Sequence, residues 1–438
     1  MEVSRHEIGH GVMLSYLKTD KFKTSFMSIS LLAQLTRETA ALNAILPRVL
    51  LRGSVLYPDM KKLSVRMEEL YGASVSPIVS RRGEIQLIGL VSSFPEEAFL
   101  PKGANEFREV TELMAGILLN PVTRGGLLLQ QYVDSEKEKM IQDLESIINN
   151  KRAYSFRRCY EEMCCYEDYA VGKAGRAEDV EAINYKKATR RYRDLLASAP
   201  VEIFYCGQED VKRVISVLKG ALATMPRGEI DYDIGTDIRM NSVEAEPRRV
   251  DEEMAVSQAR LAIGYRLGEC MEQEDLSAVR VFNTIFGGSS NSRLFENVRE
   301  KLHLCYDASS LADTYKGLLF VFAGIDPANF DAALNEINAQ LDSIRNGEIS
   351  EEELATAKAI VASDLRAKED SQGDLESFYT ARALTGDRYS PAEAAAMVEY
   401  VTAEDVAEVA RGVECDMIYF LTGNGSEPED EETEGQDE

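Results

Sequence analysis

The chain has 438 residues, a formal net charge of −26 and a calculated isoelectric point near 4.7. A surface this acidic repels the phosphate backbone of nucleic acids and the anionic face of a membrane, so neither is an expected partner. The length exceeds one ordinary hydrophobic core and fits two domains of about 200 residues each.

The apolar patterns of the first half predict strands and helices. Residues 12–20 and 24–32 predict two strands around a polar turn, and residues 85–91 predict another. The segment 36–51 predicts a helix with Pro47 well inside it, where a proline removes one hydrogen bond and crowds the preceding turn. Further helices are predicted over 60–71, 105–119 with an Asn105 cap, 135–150, 152–167 and 177–196.

The second half follows a segment without periodicity, 221–252, which contains Pro226, Gly228, Gly235 and Pro247. We interpret this segment as a linker. Apolar runs then predict strands over 257–265 and 318–324. A helix over 350–368 begins with a predicted capping box, in which Ser350 and Glu353 exchange side-chain to backbone hydrogen bonds.

The order of elements repeats within the chain. Gly53 is followed by a helical run and then by Tyr71, eighteen residues later, and Gly288 is followed by a helical run and by Tyr306 at the same spacing. Each half also closes with a helix and an apolar strand that ends in glycine. An internal repeat of this size indicates a duplicated domain.

These observations predict an α+β fold. We expect two homologous domains, each a mostly antiparallel sheet with helices packed on one face. The predicted boundaries are 1–220 for the first domain, 221–252 for the linker and 253–424 for the second domain. The remainder, 425–438, is rich in Asp and Glu without a large apolar residue, which predicts a disordered acidic tail.

The seven cysteines are scattered without a CxxC pair, which is typical of reduced thiols. The sequence starts without the apolar stretch of a secretory signal. No apolar run approaches the roughly 18 residues that a membrane-spanning helix needs. We therefore expect a cytoplasmic protein.

A possible zinc motif lies near the amino terminus, where His6, Glu7 and His10 form HExxH. On a helix this spacing places two imidazoles on one face for zinc, with the glutamate as general base. Only five residues precede His6, and Gly9 weakens a helix. A stand-alone zinc peptidase that uses His6 and His10 is therefore an alternative hypothesis, beside a polar lead-in to the first strand.

The stretch from Gly288 to Lys301, GSSNSRLFENVREK, followed by Tyr306, resembles the second domain of the insulinase/pitrilysin family of zinc peptidases. The helical sequence 349–358 and the order of elements are also similar, so the resemblance covers about residues 10 to 423. It implies the LuxS/mitochondrial processing peptidase-like metallohydrolase fold.

The resemblance also implies where zinc would be bound in an active member. Peptide-cutting members carry HxxEH on the first-domain helix, five residues before a Gly-Ser or Gly-Thr pair. Here those positions hold Ala44, Pro47 and Arg48, and the distal acidic ligand falls near Asp143 or Glu145. Alanine and proline offer no side-chain donor, and arginine is a permanent cation. We therefore expect a degenerate zinc site, with no metal and no catalytic residue of this chain's own.

In the bacterial heterodimeric branch of the family, the subunit without zinc ligands supplies an arginine and a tyrosine from its second domain. Arg299 and Tyr306 match that pair. The guanidinium offers a fork of N–H donors to a substrate carbonyl or carboxylate, and the phenol hydroxyl can bind substrate backbone or an oxyanion. The alternative is that Arg299 is a solvated helix residue and Tyr306 fills the core.

The resemblance thus implies a non-catalytic subunit that binds peptide for a homologous partner, with zinc expected only in that partner. A purely structural subunit is the second hypothesis. Gly287 and Gly288 either approach a peptide or end a helix. The strand over 318–323 either offers an edge to an extended peptide or is paired on both sides.

Overall fold

The computed structural model of the chain describes residues 3–268, 276–387 and 389–423. The predicted acidic tail, 425–438, lies outside these residues. No helix within the described ranges is long and apolar enough to cross a membrane.

The chain divides into two units, and each is assembled from three segments. The first comprises Met1–Glu145, Val171–Thr236 and Leu365–Glu393, and the second comprises Ser146–Ala170, Asp237–Asp364 and Ala394–Glu438. The predicted boundaries, 1–220 and 253–424, therefore differ from the structure in two segments. Residues 146–170 group with the second unit and residues 365–393 with the first.

The first unit is built on a sheet of six strands. In chain order, the strands of this unit are β1 (Val3–Gly9), β2 (Val12–Lys18), β3 (Thr24–Gln34), β4 (Ser74–Arg82), β5 (Ile85–Pro95), the short pair β6 (Thr123–Arg124) and β7 (Leu127–Leu128), and β8 (Val201–Gly207). The sheet order is β1-β2-β8-β3-β5-β4. Strands β2 and β8 run parallel, and the other neighbours run antiparallel.

The second unit contains a five-stranded sheet. Its strands are β9 (Arg248–Met254), β10 (Ala259–Arg266), β11 (Cys305–Asp313), β12 (Leu318–Ile325) and β13 (Glu414–Gly423). They lie in the order β11-β12-β10-β13-β9, with β13 and β9 parallel and the other neighbours antiparallel. Because β9 belongs to this sheet, the predicted linker 221–252 is wrong over its last residues.

Helices connect the strands in both units. In chain order, those of the described residues are α1 (Ala40–Leu50), α2 (Met60–Glu69), α3 (Glu106–Leu119), α4 (Gln130–Ser146), α5 (Lys151–Met163), α6 (Ala177–Glu181), α7 (Tyr185–Ser198), α8 (Val211–Ala221), α9 (Ser277–Phe286), α10 (Phe330–Arg345), α11 (Glu351–Ala367), α12 (Gln372–Thr385), α13 (Pro391–Met397) and α14 (Ala403–Gly412). A π-helical segment, Leu294–Lys301, lies between α9 and β11.

The two sheets confirm the predicted internal repeat. Read from the parallel pair outward, β2-β8-β3-β5-β4 in the first unit matches β9-β13-β10-β12-β11 in the second. Helix α1 corresponds to α9, α2 to the π-helical segment, and α5 to α12 by their places in this order. The α+β fold with mostly antiparallel sheets is confirmed, and β1 is an additional strand of the first unit.

Helices cover both faces of each sheet, so the prediction of helices on one face is wrong. Side chains alternate along a strand. On β8, Ile203 and Tyr205 join the core formed with α1, α3, α7 and α8, whereas Phe204 stacks on Tyr379 of α12 with ring centroids 6.2 Å apart. Sequence periodicity could not assign α12 to this sheet, because the helix lies within the second repeat, far along the chain from the strands that it covers.

The second sheet shows the same arrangement. Tyr419 of β13 belongs to a core with Cys159 and Met163 of α5. Its neighbour Phe420 points to the opposite face, where its ring lies 4.7 Å from that of Phe330 in α10. Each unit therefore receives one covering helix from the other half of the sequence.

Buried charges fix the chain that follows α5. The guanidinium of Arg266 donates to Glu167 Oε1 at 2.7 Å and to Asp416 Oδ2 at 2.9 Å, and Lys316 Nζ lies 2.7 Å from Glu167 Oε2. The Arg266 and Lys316 side chains are fully buried. Burial opposes ionisation of Glu167, but hydrogen bonds from both cations lower the pKa of its carboxyl.

Two predicted caps differ from the structure. The Asn105 side chain does not cap α3, because its Oδ1 accepts from Arg213 instead. Ser350 Oγ accepts from the Glu353 backbone at 3.1 Å, as predicted. The Glu353 carboxylate, however, binds Arg293, so the reciprocal half of the capping box is replaced by an ion pair.

Candidate functional site

The positions expected to carry the HxxEH zinc ligands all lie on α1. Ala44 is 1% exposed, Pro47 is buried within the helix, and the Arg48 side chain reaches the surface. Arg48 Nη1 donates to Asp143 Oδ2 of α4 at 2.7 Å. The structure thus brings the predicted residues of α1 and α4 together, with an ion pair between the two polar members.

This arrangement does not fit a zinc ion. The side chains that α1 presents are a methyl group, a pyrrolidine ring and a guanidinium, and the guanidinium is hydrogen-bonded to the Asp143 carboxylate. A cation placed there would meet the positive charge of Arg48 and no imidazole. Within the described ranges, no group of three or more His, Cys, Asp or Glu side chains is placed to hold a metal.

His6 and His10 are placed on a strand and a turn. His6 lies on β1, where it pairs with Leu14 of β2 and its Nε2 is 2.9 Å from Ser4 Oγ, and His10 lies in the turn to β2. The HExxH motif requires a helix to place both imidazoles on one face. The alternative of a zinc peptidase acting through His6 and His10 is therefore not supported.

Arg299 lies on the π-helical segment of the second unit. Its guanidinium carbon is 4.6 Å from the centroid of the Phe295 ring, and Nε is 3.5 Å from a Glu300 carboxylate oxygen. The side chain is 40% exposed. A stacked guanidinium keeps its N–H edges available for a ligand, because the ring binds only its face.

An arginine at the start of this segment holds the segment in place. Arg293 donates from Nε and Nη2 to the two carboxylate oxygens of Glu353 in α11, at 2.7 and 2.8 Å. It also donates to Ser343 Oγ and the Glu348 carbonyl oxygen. Such a bidentate pair fixes orientation as well as charge, so Arg293 anchors the segment that carries Arg299.

Tyr306 lies at an irregularity in the edge strand β11. The pairing of β11 with β12 shifts register between Cys305 and Asp307, which leaves Tyr306 as an extra residue. Its side chain is 66% exposed, so the alternative in which Tyr306 fills the core is wrong. A bulge commonly redirects a side chain at a functional edge, and here it directs the phenol to solvent.

The glycines before this segment end helix α9. Both the Gly287 and the Gly288 N–H donate to the Asn283 carbonyl oxygen. The Gly287 carbonyl accepts from the Ser310 N–H of β11 at 2.9 Å, and a Cβ on Gly287 would lie 2.6 Å from that nitrogen. Gly287 therefore permits a close approach to the chain's own strand, as well as a helix end.

The strand predicted over 318–323 is β12, which pairs on both sides, with β10 and with β11. It offers no edge to a peptide. One edge of the sheet is β11, the strand that contains Tyr306. Periodicity identified the apolar strand correctly but could not order the strands within the sheet.

A cavity of about 620 Å³ opens beside β11 in the second unit. Its wall includes Ala308 to Leu311 of β11 and the chain from Gly287 to Ser290. Phe156 of α5, Phe295 and Phe322 supply aromatic surface. Phe295 is the ring on which Arg299 stacks, so the predicted Arg299 and Tyr306 lie on the two elements that border this cavity.

Sequence reasoning missed the contribution of α5 to the cavity. Arg152 and Phe156 of this helix line it, and Arg152 Nη2 donates to Ser309 Oγ at 2.8 Å. The predicted helix 152–167 carried both residues, but nothing in its pattern indicated that it packs on the second sheet.

The duplicated sheets, the two exchanged helices and an α1 helix without metal ligands define a non-catalytic relative of a two-repeat metallopeptidase. The family model described as "Peptidase M16 inactive domain" matches residues 182–361. A "Probable inactive metalloprotease" of Bacillus subtilis is 32% identical over 94% of this chain and 96% of its own length. The chain therefore belongs to the M16, or insulinase/pitrilysin, metallopeptidase family, as an inactive member.

Solved structures support the same fold. A conserved protein from Enterococcus faecalis has a TM-score of 0.88 and 28% identity, with 97% of this chain and all of that chain covered. A peptidase M16 inactive domain from Pseudomonas fluorescens has a TM-score of 0.79 over 98% of this chain and 100% of its own, at 15% identity. This chain is a pseudo-peptidase, since the Bacillus subtilis relative that matches it over 94% of its length is described as probably inactive and its own zinc positions carry no ligands.

Proposed function

We propose that this chain is the non-catalytic subunit of a two-chain zinc metallopeptidase, and that it binds peptide substrate for a homologous zinc-bearing partner. In this proposal the partner's zinc cleaves the peptide, whereas Arg299 and Tyr306 position it. The observation that carries the proposal is the exposure of these two side chains beside a cavity and a sheet edge, in a chain whose own zinc positions hold Ala44, Pro47 and Arg48.

The roles follow from the geometry of each side chain. Phe295 binds one face of the Arg299 guanidinium and leaves N–H donors for a peptide carbonyl or carboxylate. Tyr306 projects from the bulge at the start of β11, with its hydroxyl available to peptide backbone. Two donors from neighbouring elements can fix an extended chain without any covalent step in this subunit.

The relatives add support for a partner. Bacillus subtilis has both the "Probable inactive metalloprotease" and an "Uncharacterized zinc protease", the latter 30% identical to this chain over 103 residues. An organism that carries both kinds of chain can form a mixed complex. We expect the complex in the cytoplasm, in line with the reduced thiols that the sequence predicts.

Co-expression with the homologous zinc-bearing chain of the same genome tests the proposal. We expect hydrolysis of an unstructured peptide by the mixture and by neither chain alone. Arg299→Ala with Tyr306→Phe should lower kcat/KM by about 10²-fold, since two substrate hydrogen bonds are lost. Arg108→Ala, an exposed helix arginine of the first unit, is the matched control.

The second hypothesis is a purely structural subunit, and the same experiment separates the two. If the mixture is active and the Arg299→Ala, Tyr306→Phe variant keeps full activity, the chain supports its partner without positioning the substrate. If the two chains do not associate, the proposed role beside a zinc-bearing partner fails, and only a structural subunit that binds other proteins remains.

A further inference from the structure

Helix α7 carries a positive charge that does not favour its own stability. Its basic residues are Lys186, Lys187, Arg190, Arg191 and Arg193, and its one acid is Asp194. Both lysines lie in the first turn, where the helix dipole favours acidic side chains instead. Lys186 and Arg190 are also four residues apart, a spacing at which like charges repel. Because the charge destabilises the helix itself, its presence needs another explanation.

The second unit shows that the fold does not require a basic helix at this place. Helix α14 corresponds to α7, because the two helices directly precede β13 and β8, which occupy matching places in the two sheets. Glu404 and Asp405 lie in the first turn of α14 and Arg411 lies in its last turn, as the dipole favours. The positive charge is therefore a property of α7 and not of the duplicated fold.

The exposed cations of α7 lie on one face of the helix. Lys186, Arg190 and Arg193 follow one another at spacings of four and three residues, which places their side chains side by side. All three are exposed, and the Arg190 side chain is 87% exposed. Arg193 Nη2 donates to the Gly126 carbonyl oxygen at 2.6 Å, which is a neutral partner. Within the described ranges, the one ion pair on this face joins Arg190 Nε to Asp194 Oδ2 at 3.9 Å.

A fourth cation is contributed by the neighbouring hairpin of β6 and β7. The hairpin is held against α7 by the Arg193 hydrogen bond and by the Leu128 N–H, which donates to Thr189 Oγ1 at 3.0 Å. Arg124 of β6 is exposed and forms no ion pair among the residues that the structure describes. The basic face, as we define it, consists of Lys186, Arg190, Arg193 and Arg124.

We propose that the basic face binds a short acidic segment of another protein. The helical rise of 1.5 Å per residue places Lys186 and Arg190 about 6 Å apart along the axis, and alternate side chains of an extended peptide are about 6.6 Å apart. Two carboxylates of such a segment can therefore each meet a cation, and a guanidinium can bind a carboxylate through two parallel N–H donors. The inference uses residues of the first unit alone and does not depend on the proposed function.

The size of the basic face favours an acidic peptide over a nucleic acid. From Lys186 to Arg193 the face extends about 10 Å along the helix. A DNA duplex carries one phosphate charge per about 1.7 Å and continues beyond the face, where it meets the surface of a chain with a net charge of −26. A short segment with a few carboxylates ends where the cations end and avoids this repulsion.

Fluorescence anisotropy with the purified full chain tests the inference. The probe is a fluorescein-labelled peptide of four Ser-Glu repeats, and its neutral counterpart has Gln at every Glu position. At low ionic strength we expect the Glu peptide to bind at least about tenfold more tightly than the Gln peptide, because several exposed ion pairs act together. The difference should shrink as salt is added, since these charges are exposed.

Charge reversal locates the binding surface. Lys186→Glu with Arg190→Glu should weaken binding of the Glu peptide by at least about tenfold. Lys61→Glu with Lys62→Glu is the matched control, because it reverses two exposed lysines in the first turn of α2, in the same unit. The control should bind the Glu peptide as wild type does. Circular dichroism melting curves establish that both variants are folded.

The other outcomes overturn the inference. Equal binding of the Glu and Gln peptides, or equal effects of the two double variants, would show that the basic face does not select acidic segments. Tighter binding of a short DNA duplex than of the Glu peptide would identify a nucleic-acid surface. A full-length variant with the acids of 427–438 replaced by their amides tests the chain's own tail as the occupant. If this variant bound the Glu peptide at least about tenfold more tightly than wild type, the tail and not another protein would occupy the face.

Discussion

A buried acid in the first unit gives a pH dependence of stability that can be worked out from its surroundings. Glu106 is the first residue of α3 and is 2% exposed, and its Oε1 has no hydrogen-bond partner among the described residues. Burial raises the pKa of its carboxyl to about 7, the nearby Glu109 and Glu97 charges add to the rise, and Arg66 opposes it. The folded state therefore holds a proton that the unfolded state releases near pH 4.5.

The sign and size of the effect follow from this difference. Below pH 4.5 both states are protonated and the stability is unaffected. As pH rises towards 7 the unfolded state ionises first, so the free energy of unfolding falls, and above 7 the loss is constant. The shift corresponds to about 3 kcal/mol in total, of which about 2 kcal/mol is expected between pH 5 and 8.

Glu106→Gln isolates this contribution because the amide has nearly the same shape and does not ionise. We expect the stability of Glu106→Gln relative to wild type to increase by about 2 kcal/mol between pH 5 and 8. Urea unfolding monitored by circular dichroism at several pH values measures it. Glu112→Gln, at an exposed position of the same helix, is the control and should follow wild type. A constant difference between Glu106→Gln and wild type across this range would refute the reasoning.

Four further substitutions have expected effects on the free energy of urea unfolding. Gly89→Ala should destabilise the protein by about 3 kcal/mol or more, because the added Cβ would lie 1.8 Å from the Ile29 carbonyl oxygen. Gly116→Ala, which has open space around it in α3, should instead stabilise the protein by about 0.5–1 kcal/mol. Equal effects of the two substitutions would contradict the packing argument. Arg266→Ala should cost about 3–5 kcal/mol because it leaves Glu167 and Asp416 buried with fewer partners, and a loss below 1 kcal/mol would be unexpected. Arg48→Ala removes a partly exposed ion pair and should change the free energy of unfolding by less than about 1 kcal/mol. A larger loss would contradict the view that this pair contributes little to stability.

Local sequence patterns predicted much of the fold because they depend on neighbours in the chain. The strands around residues 12–20 and 24–32 and the helix 60–71 follow from periodicity, and the structure places β2, β3 and α2 there. Pro47 is accommodated inside α1, as predicted. The repeat was visible because equal spacings recur even where few residues are identical.

Contacts between distant parts of the sequence were not predictable in this way. Strand β9 lacks an apolar run, with alternating exposed and half-buried residues, so its sequence resembled a linker. Ser350 carries the sequence of a capping box, but the Glu353 carboxylate forms a stronger charged pair with Arg293, sixty residues earlier. Local rules cannot anticipate such competition.

The candidate site was predicted in part. The exposure of Arg299 and Tyr306 was expected from the family resemblance, whereas Phe295, Phe156 and the cavity that they line were not. The ion pair between Arg48 and Asp143 was not predicted either, although both positions had been identified. The role of each residue in substrate binding stays a prediction until the complex is assayed.

The exchange of covering helices has a consequence for how this protein is made. The ribosome delivers all six strands of the first sheet before residue 208, but the helix that covers the side of Phe204 is not synthesised until residues 372–385. During much of translation, the apolar face of this sheet in the nascent chain is therefore exposed to solvent, and such exposure favours aggregation. A polypeptide truncated after the first repeat lacks α12 and has no complete native state, so chaperone binding to ribosome-bound chains should decline only once residue 385 has emerged.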